Sequence, residues 1–473
     1  MTITIVGLGP GDPEQLTRAA WEMLRSAGEV YLRTRHHPTI DALADLPDLT
    51  LQSFDHLYEA HDDFADVYQA IATQVLDLGA RPGGVIYAVP GHPFVGEMTT
   101  QHIVQGAQAR GLPVQVVDGL SFLEPTLRAL HLDALDGLQV ADAALIAARY
   151  HTPLDPDRPA IVAQLYSRLL ASEVKIVLLN TYPDAHPVTL VRAAGTMEQA
   201  LQSLPLYELD HQTATFDHLT ALYLPPLPYA GGYDALQEIV AHLRAPEGCP
   251  WDREQTHESL TSSLLEETYE TVAAIESGDA ALLAEELGDL YLNLAMQVQV
   301  AAEEGEFRLA DVISHIVAKL IRRHPHVFGD VAVDGVDQVL SNWEAIKSAE
   351  RQANGQPESA LGSVPPALPA LMQAQTYQRR AARIGWPGPD QPTANVPTAL
   401  NALEDLPDEA AWGSLLFALA ARAQSQGIDA ERALRLANTR FAARVRAVEA
   451  AAQADGAPLS NLPPAAQALF WQT

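Results

Sequence analysis

The chain has 473 residues, 48% of them hydrophobic, which supplies apolar material for about two to four cores and excludes a disordered chain. Its 60 acidic residues outnumber 29 basic ones, and a net charge of −31 argues against a nucleic-acid-binding surface. With Cys249 as its one cysteine it has no intramolecular disulfide. No apolar run approaches a membrane span and no basic leader precedes the first strand, so a soluble, cytoplasmic protein without a membrane partner is expected.

The first part reads as α/β. Residues 2–8 (TITIVGL) form a buried-strand pattern that ends in a Gly/Pro turn and leads to a helix over about 14–27. Residues 85–89 (VIYAV) repeat the theme before PGHP, and 114–117 and 175–179 (KIVLL) are further strand candidates. Alternating strands and helices predict a mainly parallel sheet with ligands at the strand C-terminal ends. The loop GLGPGDP (7–13) lets backbone approach a ligand but lacks dinucleotide-fold spacing, since Asp12 stands in the last glycine position.

Beyond the breaker-rich stretch PPLPYAGG (225–232) strand signals nearly vanish. Leu283, Leu287, Leu290, Leu294 and Val298 mark a helical stripe. On the adjoining helices Glu267 lies beside Glu270, and Glu286 beside Asp289. Four carboxylates that converge from antiparallel helices repel one another unless a proton or cation intervenes, and a hard ion such as Mg²⁺ resolves the conflict best. Solvated helical faces are the plainer alternative. Lys319 and Arg323 lie four apart on one predicted helix, Trp343 and Lys347 on another. Pro325 separates His324 from His326 and breaks the helix, so a structural turn is expected there, and His257 is read the same way. Cys249 has no CxxC partner and is given no chemistry.

A second loop-like stretch, 352–369, precedes a segment that resembles a worn copy of the first helical module. GSLLFALA (413–420) echoes GDLYLNLA (288–295), and Arg440 and Arg444 echo Lys319 and Arg323. Ala410, Ala411 and Ser414 stand where the first copy has Glu285, Glu286 and Asp289, so the copy is read as structural.

CPWDREQTHESL (249–260), LLEETYE, AEELGDL, RRHPHVFG (322–329) and NWEAIKSAER (342–351) together resemble the MazG family of nucleoside triphosphate pyrophosphohydrolases. That resemblance implies an all-α fold that holds Mg²⁺ on Glu267, Glu270, Glu286 and Asp289 and cleaves an NTP to NMP and pyrophosphate. Glu266 or Glu285 would orient or deprotonate the attacking water. Lys319, Arg323, Trp343 and Lys347 would bind substrate, with the Trp near the base, and partner helices would complete the pocket, from the degenerate copy within one chain or across a homodimer.

GLGPGDP, YAVPGHP (87–93) and LSFLEPTLRAL (120–130) resemble the tetrapyrrole methylase family, which implies S-adenosylmethionine (SAM) held by Gly9, Pro10, Gly11, Pro90, Gly91 and Ser121. His92 departs from the usual PGDP, and Gly119-Leu120-Ser121 from the usual GxTS turn. The expected plan is a methylase-like domain at 1–224, a linker at 225–232 and a MazG domain at 233–351. A linker at 352–369, a degenerate second MazG-like domain at 370–452 and a tail at 453–473 complete it. The alternative function is a SAM-dependent methyltransferase with a regulatory helical region.

Overall fold

The computed structural model describes residues 1–353 apart from 47, 62 and 212–215, then 361, 364–385, 396–405, 408–454, 456, 458 and 463. The expected linker at 352–369 lies partly, and the tail at 453–473 mostly, outside the described residues. Contacts divide the chain into two units, Met1–Leu309 and Ala310–Thr473.

The first unit opens on β1 (Ile3–Gly7), buried throughout as befits a strand covered on both faces. A 3-10 turn at Pro13–Gln15 follows, and α1 (Arg18–Ser26) starts where the Thr17 hydroxyl accepts from the Ala20 amide. The Asp12 and Thr17 caps therefore shorten the helix expected from residue 14. Next come β2 (Glu29–Leu32), α2 (Thr39–Ala44), β3 (Thr50–Ser53), α3 (Asp55–Ala60), α4 (Phe64–Gly79), β4 (Val85–Val89), α5 (Met98–Arg110) and β5 (Val114–Val117). The strands form one parallel sheet in the order β3-β2-β4-β1-β5. Ile3, Ile5 and Tyr87 pack with Ile71, Val75 and Ile103 on one face. On the other, Val6, Val30 and Ala88 meet Leu24 and Leu43. Because β2 and β3 lie to one side of β1 and β5 to the other, the loops after β1, β4 and β5 meet at the carboxyl edge, where such sheets hold ligands.

After α6 (Leu123–Leu130) a second sheet is built from β6 (Gln139–Asp142), β7 (Ala160–Ala163), β8 (Pro187–Arg192), β9 (Ala200–Pro205) and β10 (Thr220–Leu224), with α7 (Ala143–Ala147) and α8 (Arg168–Leu178) between them. Its order is β6-β7-β10-β8-β9, and only β6 and β7 run parallel. The mainly parallel arrangement thus holds for the first sheet and fails for the second, where the short β8–β9 connection permits only an antiparallel pair. The strand expected at 175–179 is helical as well. Its apolar residues continue the α8 stripe of Leu170, Ala171, Val174, Val177 and Leu178, started by the Ser167 cap. The strands β2, β3 and β6 to β10 were not named from the sequence, and among them β7 is short but fully buried.

The 225–232 stretch is anchored. Leu227 donates to the Pro156 carbonyl at 2.8 Å, and Gly231 and Gly232 donate to the Asp157 carboxylate at 2.7 and 2.9 Å. It leads to α9 (Tyr233–Arg244), α10 (Pro250–Arg253), α11 (Thr261–Ser277) and α12 (Ala280–Glu304). The leucine stripe of α12 is mostly not buried: Leu287 and Leu294 are 39% and 44% exposed. The buried face is Asn293, Ala295, Met296, Val298, Val300 and Ala301, set by packing on Val240 and Leu260.

The second unit is helical: α13 (Leu309–Arg323, starting at the boundary residue), α14 (Pro325–Phe328), α15 (Val336–Ala353), α16 (Ala370–Arg383), α17 (Val396–Asp405), α18 (Glu409–Ser425) and α19 (Ala430–Ala454). Leu415 and Ala418 of α18 pack against Ala399 and Leu403 of α17. Among the described residues no helix is long and apolar enough to cross a membrane.

Candidate active site

The tight turn between α11 and α12 sets two acidic helix faces against each other. Gly278 closes α11 in the left-handed region (φ 74°), and the Asp279 side chain caps α12 by accepting from the Ala281 and Leu282 amides. Buried Thr271 fixes the level at which the helices meet: its hydroxyl reaches the Glu267 carbonyl (2.8 Å) and the Glu286 carbonyl across the hairpin (3.3 Å). Asn293, also buried, donates to the Asp289 carbonyl at 3.1 Å.

Carboxylate oxygens of Glu267, Glu286 and Asp289 consequently lie within 4.8 Å of one another. Glu270 is outside that trio but close enough to Glu267 to help raise its carboxyl. Desolvation first, then Asp289 and Glu270, push the Glu267 carboxyl above its usual range. Glu286 is raised by desolvation and then by Glu270, Glu285 and Asp289. Glu266 and Glu285 are exposed beside the trio. A cluster of oxygen donors that hold one another's protons on suits a hard divalent cation, which substitutes for those protons.

The cations named from the sequence lie in the second unit. Lys319 is half-buried on α13. Arg323 does not stand open to solvent: its Nε and Nη2 donate to Glu350 at 3.2 and 2.5 Å, and Arg322 donates to the same carboxylate at 2.7 Å. Hydrogen bonds from Arg323 and then Arg322 hold the Glu350 carboxyl down to about 2. Lys347 Nζ sits 4.2 Å from the Trp343 ring centroid, a cation–π pair on one face of α15. The His324 and His326 rings adjoin at 5.7 Å despite the break at Pro325. In α18 the Ser414 hydroxyl bonds back to the Ala410 carbonyl at 2.9 Å.

At the carboxyl edge of the parallel sheet the loops after β1, β4 and β5 touch backbone to backbone. Gly9 and Gly91 exchange hydrogen bonds of 3.2 and 2.9 Å, both with positive φ (68° and 67°). A Cβ on Gly7 would lie 2.6 Å from the Gly119 nitrogen and 2.7 Å from the Gly91 oxygen, so this crossing admits only glycine. Ser121 is buried, with its hydroxyl on Glu124 (2.7 Å) and on the Leu123 amide (2.9 Å). His92, the departure from PGDP, accepts from the Phe94 amide at Nδ1 (3.0 Å), which leaves Nε2 to face Asp118 at 3.5 Å.

Two features of this edge escaped the sequence reading. Buried His37 lies near the Gly9 backbone with its Nδ1 unpartnered, and burial, then His218, depress it to about 4. Arg33, just after β2, donates to Glu97 (2.6 Å) and to the Tyr58 hydroxyl (2.9 Å), while Glu97 also accepts from the Thr99 amide at the start of α5. No local motif joins these residues, and only the sheet brings them together.

The MazG nucleotide pyrophosphohydrolase domain family matches residues 255–328, and the tetrapyrrole (corrin/porphyrin) methylase family matches residues 2–210. The chain belongs to the MazG family, in the form that carries a methylase-like domain ahead of the helical one. It is 38% identical over 474 residues to YabN of Bacillus subtilis (strain 168), covering 97% of this chain and 95% of YabN. It is 37% identical to the nucleoside triphosphate pyrophosphohydrolase/pyrophosphatase MazG of Thermotoga maritima, covering 51% of this chain and 94% of that protein. Among solved structures, uroporphyrin-III-C-methyltransferase from Thermus thermophilus aligns with 47% of this chain and 91% of its own at 22% identity and a TM-score of 0.37.

Proposed function

We propose that the α11–α12 hairpin is the catalytic centre of a Mg²⁺-dependent hydrolase that splits nucleoside triphosphates into monophosphate and pyrophosphate. The observation that carries this reading is the trio Glu267, Glu286 and Asp289, with ligand oxygens within 4.8 Å of one another. The name of the Thermotoga maritima relative supports the substrate class. Glu270 joins the trio as fourth ligand. These residues would hold a divalent ion, which when bound would neutralise polyphosphate charge and make water a better nucleophile at neutral pH. Glu266 and Glu285, exposed beside the trio, orient the attacking water or take its proton. Lys319, Arg323, Trp343 and Lys347 are proposed as substrate-binding residues, as the family resemblance implies, and Arg323 would exchange Glu350 for a phosphate. The exposed Leu287, Tyr291 and Leu294 on α12 favour a homodimer that covers them.

Purified full-length chain with Mg²⁺ should release pyrophosphate rather than orthophosphate from at least one common NTP or dNTP. Glu270→Ala and Asp289→Ala should abolish turnover while unfolding as cooperatively as the wild type. Absence of pyrophosphate from every nucleotide would overturn the reading.

A second reading rests on the glycine crossing after β1, β4 and β5, where Gly7, Gly91 and Gly119 bring backbone together at the ligand edge of the sheet. We propose SAM binding there, by Gly9, Pro10, Gly11, Pro90, Gly91 and Ser121. Calorimetry with SAM decides it, and an absence of heat at millimolar ligand removes the methyltransferase alternative.

A further inference from the structure

The far end of α12 carries a second electrostatic conflict. Glu303, Glu304 and, just past the Gly305 cap, Glu306 crowd the negative end of the helix dipole, and no basic residue lies in that last turn. Arg244 answers Glu303 through Nε and Nη2 at 3.0 and 2.8 Å. Glu304 and Glu306 instead share their space with His257, and one ligand atom from each of the three lies within 4.8 Å of the others.

The tautomer of that histidine follows from its neighbour. Gln297 Nε2 donates to the His257 carbonyl at 3.3 Å, which turns Gln297 Oε1 toward His257 Nδ1. An amide oxygen only accepts, so Nδ1 carries the proton. In the neutral ring Nε2 is then a bare lone pair. That atom is buried with no hydrogen-bond partner and faces the Glu306 carboxylate at 3.9 Å. A lone pair against a carboxylate is repulsive. An imidazole whose other nitrogen is pinned by an acceptor is oriented as metal-binding histidines are.

We propose that His257, Glu304 and Glu306 form a second cation site. It is separate from the acidic trio by about 22 Å, the rise over the fifteen residues of α12 from Asp289 to Glu304. One nitrogen and two carboxylates favour a borderline divalent ion, Zn²⁺ in particular, over the Mg²⁺ suited to an all-oxygen site. The ion would clip the loop that leads into α11 to the end of α12 and so brace the hairpin that carries Glu267 and Asp289.

The test is metal analysis of the full-length chain after equilibrium dialysis against micromolar Zn²⁺ with millimolar Mg²⁺ present. One Zn²⁺ per chain is expected. Glu304→Gln with Glu306→Gln, both exposed positions that leave the fold in place, should weaken retention at least tenfold. Glu267→Gln with Asp289→Asn should leave it unchanged. Failure of the wild type to hold Zn²⁺, or loss of Zn²⁺ in the second pair but not the first, would overturn the proposal. Histidine nitrogen NMR reads the same question without mutation: Zn²⁺ should shift His257 Nε2, whereas an Nε2 already protonated at neutral pH and silent to Zn²⁺ makes the contact a plain ion pair. Pyrophosphate release takes no part in any of these readouts, so they stand or fall apart from the proposed hydrolase.

Discussion

His37 ties the fold of the glycine loops to pH. It is 6% exposed, lies near the Gly9 backbone and is depressed from 6.5 to about 4 by burial and then by His218. The folded chain therefore keeps the ring neutral, whereas the unfolded chain takes up a proton near 6.5. Stability from this group is complete above that value and drains as pH falls toward 4. The full gap corresponds to about 3 kcal/mol, and linkage places roughly 2.5 kcal/mol of the loss at about pH 4.5. His37→Gln removes the titration. Hydrogen exchange of the β1 amides, which reports on opening of this sheet alone, should show wild-type protection falling between pH 7 and 4.5 by about that much more than in the variant. Equal pH slopes in the two proteins would refute the assignment.

Other expectations follow from the same geometry. Glu97, 1% exposed at its side chain, neutralises Arg33, so Glu97→Gln should cost about 3–5 kcal/mol in urea unfolding by leaving a buried guanidinium unpaired. Gly119→Ala would drive a methyl group into the Gly7 and Gly91 backbone, and calorimetry should show any SAM binding lost, with about 1–3 kcal/mol or more of stability. Asp289→Asn should part activity from stability. Glu267 and Glu286 are raised carboxyls, so they favour the fold below their ordinary range and oppose it as pH climbs past the raised values. Without Mg²⁺ at pH 8 the variant should therefore melt above the wild type, with the difference shrinking toward pH 4 and the rise in melting temperature on adding Mg²⁺ reduced.

The acidic pairs were legible because helical spacing is local: residues three apart share a face whatever the rest of the chain does. The same holds for β1, β4 and β5, whose apolar runs end in glycine turns. Locality also explains the errors. An apolar run such as 175–179 fits a buried strand or a buried helix equally well, and only the Ser167 cap and the α8 packing face choose between them. Which face of α12 is buried was likewise undecided until Val240 and Leu260 covered one side of it.

Long-range meetings lay beyond the sequence altogether. Arg33 with Glu97, His37 with Gly9, and His257 with Glu306 join positions whose separation along the chain carries no periodic signal. Composition and spacing settled which side chains were available for chemistry: carboxylates in pairs, glycines in loops, few cations. Tertiary structure decided which of them face one another, because burial and the low dielectric it brings turn an ordinary histidine or glutamate into a group with one required partner.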